Sequence, residues 1–161
     1  MDDKVTTEPN WLDAREERAW RTFVHAHHEL MLRLQRHLQA DSGLIAADYE
    51  VLAVLSSHPE GRRPAQELAG MLRWEKSRLS HQVRRMEEQG LVDREVNPAD
   101  ARSCVVRLLP AGRRTIEGAA PGHVAHVRHD FIDLLTPAEL DTLIAVNERV
   151  LRHLADESQA T

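Results

Sequence analysis

The stretch RWEKSRLSHQVRR, residues 73–85, sets cations and hydroxyls at spacings that gather them on one side of a helix. Leu79, Val83 and Met86 recur at steps of four and three and share an apolar stripe. The opposite face then holds Ser77, His81 and Arg84, flanked by Arg73, Trp74, Ser80 and Arg85. Such a helix offers hydrogen-bond donors and positive charge outward, suited to anionic oxygens and polar base edges, while its leucine side is anchored.

The elements that must position this face follow from the flanks. The helix is expected from about Glu75 to Gln89, with Gly90 as its C-terminal stop. Before it, PAQELAGML reads as a shorter packing helix, with Pro64 at the first helical position and Leu68, Ala69 and Leu72 inward. After Gly90 the period changes. LVDREV and SCVVRLL are short and rich in β-branched residues, and the turn-forming Asn97-Pro98 and Asp100 separate them, which predicts a β-hairpin. Cys104, Val106 and Leu108 face inward together, with Arg107 on the other side. Two helices, a tight junction and a hairpin with Arg102 at its tip is the order of a winged helix-turn-helix, which presents one helix to the major groove of duplex DNA. A guanidinium on a projecting turn fits a narrow minor groove. Arg102→Ala is therefore expected to weaken binding by about 1–3 kcal/mol.

Net charge alone, -5 with an isoelectric point near 6.0, argues against a nucleic-acid partner. The distribution argues otherwise: residues 61–114 hold twelve arginines and lysines against seven acids, so this third of the chain is basic and the remainder carries the acid. Clustered cations gain affinity for DNA by releasing counterions, whatever the charge elsewhere. An aromatic content of 4% disfavours single-strand stacking platforms.

Long amphipathic helices flank the basic unit. One is expected from about Asn10 to Gln39, with Trp20, Phe23, His27, Leu30 and Leu34 along a seam. A second carries Ile116, Ala120, Val124, Val127, Phe131 and Leu134, with Gly118 and Pro121-Gly122 as points of irregularity. Thr136-Pro137-Ala138-Glu139 is a capping box that starts a last helix striped by Leu140, Leu143, Ile144, Val150, Leu151 and Leu154. Their length exceeds what a small core covers, so pairing with a second copy is expected. The fold class is mainly α with a small β-hairpin wing (α+β): an N-terminal arm and dimerisation helix over 1–40, the winged unit over 41–110, and C-terminal dimerisation helices over 111–161, in one compact domain.

Other chemistries have weaker support. His123, His126 and His129 step by three with Asp130 beside them, a spacing zinc accepts, but exposed histidines are ordinary on helices. No metal or other cofactor is expected. His28-Glu29 begins an HExxH pattern that fails at Leu32. Cys104 excludes an internal disulfide framework and reads as a small packed hydrophobe, with redox sensing as the alternative. No phosphate loop, nucleophile elbow or paired catalytic carboxylates occur, so no enzyme is expected. An acidic, polar start and the lack of a long apolar run point to a cytoplasmic protein without a membrane segment.

Four segments together resemble the MarR family, the multiple-antibiotic-resistance type of transcriptional regulator. They are residues 44–55 (LIAADYEVLAVL), Glu67-Leu68-Ala69, residues 86–92 (MEEQGLV) and Asp100-Ala101-Arg102, the last being the family's wing signature. The resemblance implies a triangular homodimer on a pseudo-palindromic operator, acting as a repressor and released by a small-molecule effector. It assigns DNA contact to Ser77, Arg78, Ser80, His81 and Arg84 of the recognition helix and to Arg102 of the wing, whose loop Asp100 holds; Lys76 and Arg85 of the same helix are expected to join them. Trp20, Val24, His27, Tyr49 and Trp74 are the implied walls of an effector pocket. His81 stands where many relatives have arginine, Arg78 where a small hydroxyl residue is common, and the junction Leu72-Arg73-Trp74 lacks the usual glycine. The alternatives are a metal- or redox-responsive regulator, and a scaffold that docks a protein through the winged fold.

Overall fold

The computed structural model describes residues 9–97 and 100–159, the side chains of 100–102 and 158–159 excepted. In chain order the elements are α1 (Ala14–Ser42), α2 (Ala46–Ser56), β1 (Arg62–Pro64), α3 (Ala65–Leu72), α4 (Lys76–Glu88), β2 (Val92–Asn97), β3 (Asp100–Leu108), α5 (Pro110–Asp130), a 3-10 turn (Ile132–Leu134) and α6 (Pro137–Gln159). The expected class, mainly helical with a small antiparallel sheet, is what the chain adopts. Two compact units divide between Arg33 and Leu34.

The first unit is dominated by the front of α1. Asp13 caps it: Oδ1 accepts the amides of Arg15 at 2.7 Å and Glu16 at 2.8 Å, while Glu16 Oε2 accepts the Asp13 amide at 2.8 Å. This reciprocal cap starts the helix four residues later than the apolar pattern predicts, because it satisfies the first free amides at that point. Trp20, Phe23 and His27 lie along one exposed seam, with ring centroids 6.1 and 6.4 Å apart in succession.

The second unit holds the core. Val51, Leu52 and Leu55 from α2, Leu68 from α3, Met86 from α4 and Val106 from β3 are all fully buried. The sheet has the order β1-β3-β2, antiparallel throughout, with Arg63 and Arg94 on either side of Val106. β1 is a strand the hairpin reading lacks. Pro64 ends β1 and stands just outside α3, at φ -54° and ψ 136°, rather than at its first helical position. Proline biases the residue before it toward extended backbone and lacks only an N–H that an edge strand can spare, so Arg63-Pro64 pairs with β3 first. On β3, Val106 and Leu108 are buried as expected and Cys104 is half-buried; Val105 is buried as well.

Two backbone features bound α4, and a third lets α5 approach the start of the hairpin. Arg73, at φ 56° and ψ 38°, takes the left-handed conformation that closes α3, and the Trp74 amide donates back to the Ala69 carbonyl at 2.9 Å. Gly90, at φ 70°, closes α4, with the Leu91 amide donating to the Met86 carbonyl at 3.0 Å. Gly112, in the first turn of α5, lies so close to β2 that a Cβ there would sit 2.2 Å from the Leu91 carbonyl oxygen.

α5 runs unbroken through Gly118 and Pro121-Gly122, the points where irregularity is expected, and ends at Asp130, short of Leu134. The backbone of Phe131 leaves the helical region at φ -143° and ψ -62°, and the 3-10 turn takes over. The capping box of α6 forms as expected: the Thr136 amide donates to Glu139 Oε2 at 2.8 Å, and the Glu139 amide to Thr136 Oγ1 at 3.3 Å. The Thr136 amide first, and then its hydroxyl, which also donates to Glu139 Oε2 at 2.8 Å, hold the Glu139 carboxyl below the usual carboxylate range. In α6 Leu140 and Leu143 are half-buried, and no described residue of the helix is buried.

Candidate nucleic-acid interface

α4 is built as the apolar spacing predicts. Leu79, Val83 and Met86 are buried in the core, so Lys76, Ser77, Arg78, Ser80, His81 and Arg84 stand exposed on the other side. The Arg78 guanidinium lies 4.2 Å from the ring centroid of Trp74, a cation–π contact that steadies it at the head of the helix. Trp74 itself is half-buried against the core, the packing role that the sequence allows it. Arg84 Nη2 donates to His81 Nδ1 across 3.2 Å, so the two side chains extend together.

Ion pairing sorts the cations of the basic stretch. Arg62 meets Glu60, Arg63 meets Glu67, Arg94 meets Glu87, Arg113 meets Glu117, and Arg107 meets both Asp93 and Glu95 on the neighbouring strand. Among the described residues Lys76, Arg78 and Arg84 on α4, Arg73 just before it and Arg114 on α5 have no such carboxylate partner, so most of the unpaired positive charge gathers on and beside α4.

Arg85, expected among the contacts, is half-buried and is also tied to α2. Its Nη2 donates to Asp48 Oδ1 of α2 at 2.5 Å, and Gln82 Nε2 donates to the same oxygen at 2.5 Å. Asp48 is 3% exposed. A carboxylate this deep needs its donors, so the pair ties α4 to α2 and sets the rotation of the outward face. Neither Asp48 nor Gln82 is marked by the apolar spacing. The signal available is weak: Asp48 is one of two charged residues, with Glu50, in the largely apolar α2.

The wing places Asp100 and Arg102 on β3, with Asp100 paired to Asn97 across a register slip at Val96 and Asn97. Pro98 and Ala99 and the side chains of Asp100 and Arg102 lie outside the described residues. Between α3, α4 and the sheet is a cavity of about 310 Å³ lined by Lys76, Ser80, Val83, Arg94, Cys104 and Val106, among others. Cys104 is free and half-buried there.

Of the residues assigned to an effector pocket, Trp20 and Val24 line a shallow depression of the first unit with His25 and His28. His27, also on the first unit, faces Phe23. In the second unit Tyr49 stands 4.4 Å, centroid to centroid, from His123, and burial raises its hydroxyl pKa. Burial first and the neighbouring His126 second push the His123 imidazole below 6.5.

A sequence model of the MarR family matches residues 42–103. AbsC, a MarR family transcriptional regulator from Streptomyces coelicolor, is 39% identical with a TM-score of 0.89, over 92% of this chain and 99% of AbsC. The chain belongs to the MarR family. Sco3205, a MarR family regulator from the same organism solved in complex with DNA, is 37% identical with a TM-score of 0.88, over 92% of each chain. The MepR–DNA complex of S. aureus shares the fold at 19% identity and a TM-score of 0.74, over 83% of this chain and 96% of that one. No curated protein matches. The MarR membership makes this chain a transcriptional regulator by family. No helix among the described residues is long and apolar enough to cross a membrane.

Proposed function

We propose that this MarR protein is a homodimeric repressor that binds a pseudo-palindromic operator in duplex DNA through α4 and the wing and is released by a small-molecule effector. The observation that carries the reading is the set of unpaired cations, Lys76, Arg78 and Arg84, projecting with Ser77, Ser80 and His81 from a helix anchored along its other side. Arginine at position 84 suits bidentate contact to guanine, and Lys76 at the first turn suits a phosphate. Arg102 takes the minor groove beside the wing, and Arg85 acts through Asp48 as a positioning residue.

Two copies are required for two half-sites about one helical turn apart. The dimer is supported by Ile144, Val150, Leu151 and Leu154, all large, apolar and exposed on α6, and by Trp20, Phe23, Met31 and Leu32 on α1. An effector that favours another separation of the two α4 helices lowers affinity, and a coupling of about 1–3 kcal/mol suffices.

The test is footprinting on the DNA flanking the protein's own coding region, followed by titrations across salt concentrations. Protection of a two-fold site is expected, with log affinity falling linearly against log salt. Arg84→Ala and Arg102→Ala are each expected to cost about 1–3 kcal/mol on that site, and Lys76→Ala to lower the salt slope by about 1. A flat salt response overturns the reading in favour of a protein-docking scaffold, and equal affinity for unrelated duplexes overturns the specific operator.

A further inference from the structure

His37 and Asp41 stand one turn apart near the end of α1, and His126 and Asp130 stand one turn apart near the end of α5. The i,i+4 spacing puts an imidazole and a carboxylate on one face of each helix. The second unit brings the two pairs together. The rings of His37 and His126 stack with centroids 3.8 Å apart and planes 9° from parallel. His126 Nε2 lies 2.9 Å from Asp41 Oδ2, and His37 Nε2 lies 3.9 Å from Oδ2 of Asp130, whose side chain is 8% exposed. One ligand atom each from His37, His126 and Asp130 falls within 4.8 Å of the others.

We propose that His37, His126 and Asp130 form a site for one divalent transition-metal ion, zinc by preference, with Asp41 orienting His126. Two imidazole nitrogens and one carboxylate oxygen are a donor set for zinc and its neighbours, whereas calcium and magnesium take oxygen donors. Zinc–ligand bonds of about 2.0–2.2 Å set tetrahedral ligand atoms about 3.3–3.6 Å apart, so the atoms stand near the needed spacing, but the stacked rings of His37 and His126 must part for both lone pairs to meet one ion. The carboxylate of Asp41 accepts the Nε2 proton of His126, which fixes the tautomer and frees Nδ1 to bind the ion. A water completes the fourth position. The ion would bridge the end of α1 to the end of α5.

This site differs from the row His123, His126 and His129 that the sequence offers, because steps of three along one helix fan those side chains apart, while α1 supplies a ligand from outside. It also stands apart from the DNA reading, since its test contains no DNA. The full-length chain, stripped with chelator, is titrated with zinc chloride and then with cobalt chloride. One ion per chain is expected, with the visible absorption of tetrahedral cobalt. His37→Gln and Asp130→Asn should each weaken binding about tenfold or more. His153→Gln, on α6, should leave it unchanged. Circular dichroism of the metal-free variants checks their fold. In the unsubstituted chain, one equivalent of zinc should shift the imidazole resonances of His37 and His126 and spare those of His25, His28 and His153. Absence of stoichiometric binding, full affinity in folded His37→Gln and Asp130→Asn, or zinc shifts confined to the other histidines overturns the proposal.

Discussion

α4 and α6 are both largely exposed helices, yet they are exposed in opposite senses. α4 buries its apolar stripe in the core of its own chain and turns unpaired cations outward. α6 buries no described residue and leaves Ile144, Val150, Leu151 and Leu154 facing out. A charged face on an anchored helix is finished as a fold and incomplete only toward a polyanion. An apolar face on an unanchored helix is incomplete as a fold, since an amphipathic helix draws most of its stability from packing. In the proposed function, DNA meets the first lack and another copy of the chain the second.

The largest effect expected from breaking this contrast is at α6. Ile144 and Leu151 are seven residues apart, on one face, and each is 55% exposed. Covering a large apolar side chain contributes about 1.5–3 kcal/mol. Ile144→Glu with Leu151→Glu should therefore weaken the dimer by about 3 kcal/mol or more, over a hundredfold in dissociation constant, by sedimentation equilibrium. An unsubstituted chain that sediments as a monomer at micromolar concentration removes the dimer from the proposed function.

A smaller, crossed pair of effects separates anchoring from contact within the DNA-binding unit. Asp48→Ala strips Gln82 and Arg85 of their shared acceptor and is expected to cost about 1–3 kcal/mol of stability in urea unfolding. Arg84→Ala, at an exposed position, should change stability by less than about 0.5 kcal/mol while taking its toll on operator affinity. If Arg84→Ala destabilised the fold as much as Asp48→Ala, the division of α4 into an anchored and an offered side would be wrong.

What was legible in the sequence follows the same division. The stripe of Leu79, Val83 and Met86, the stop at Gly90 and the capping box at Thr136 are local patterns with local causes, and each appears where its spacing places it. The tie between Arg85 and Asp48 was not legible. From spacing alone Arg85 flanks the outward face, and only the packing of α2 against α4 supplies the carboxylate that holds it. The strand at Arg62–Pro64 escaped for a related reason: three residues carry no period, and its existence depends on the edge that β3 presents. The His37 and His126 pairing spans 89 positions and is created by tertiary structure alone.

The smallest expected effect is a gain. Arg73 closes α3 in the left-handed region, where a side chain meets its own backbone at a cost of about 1–2 kcal/mol and glycine meets nothing. Glycine also adds freedom to the unfolded chain, which returns about 0.4–1 kcal/mol of that gain. Arg73→Gly should thus stabilise the protein by roughly 0.5–1 kcal/mol, read as a higher urea midpoint at unchanged slope. Arg73→Val should do the reverse, because a β-branched side chain tolerates this conformation least. That the chain keeps an arginine in a strained junction beside α4 fits a cation held for its charge. Titration of the Arg73→Gly protein against operator DNA should then show the stability gain accompanied by a lower salt slope.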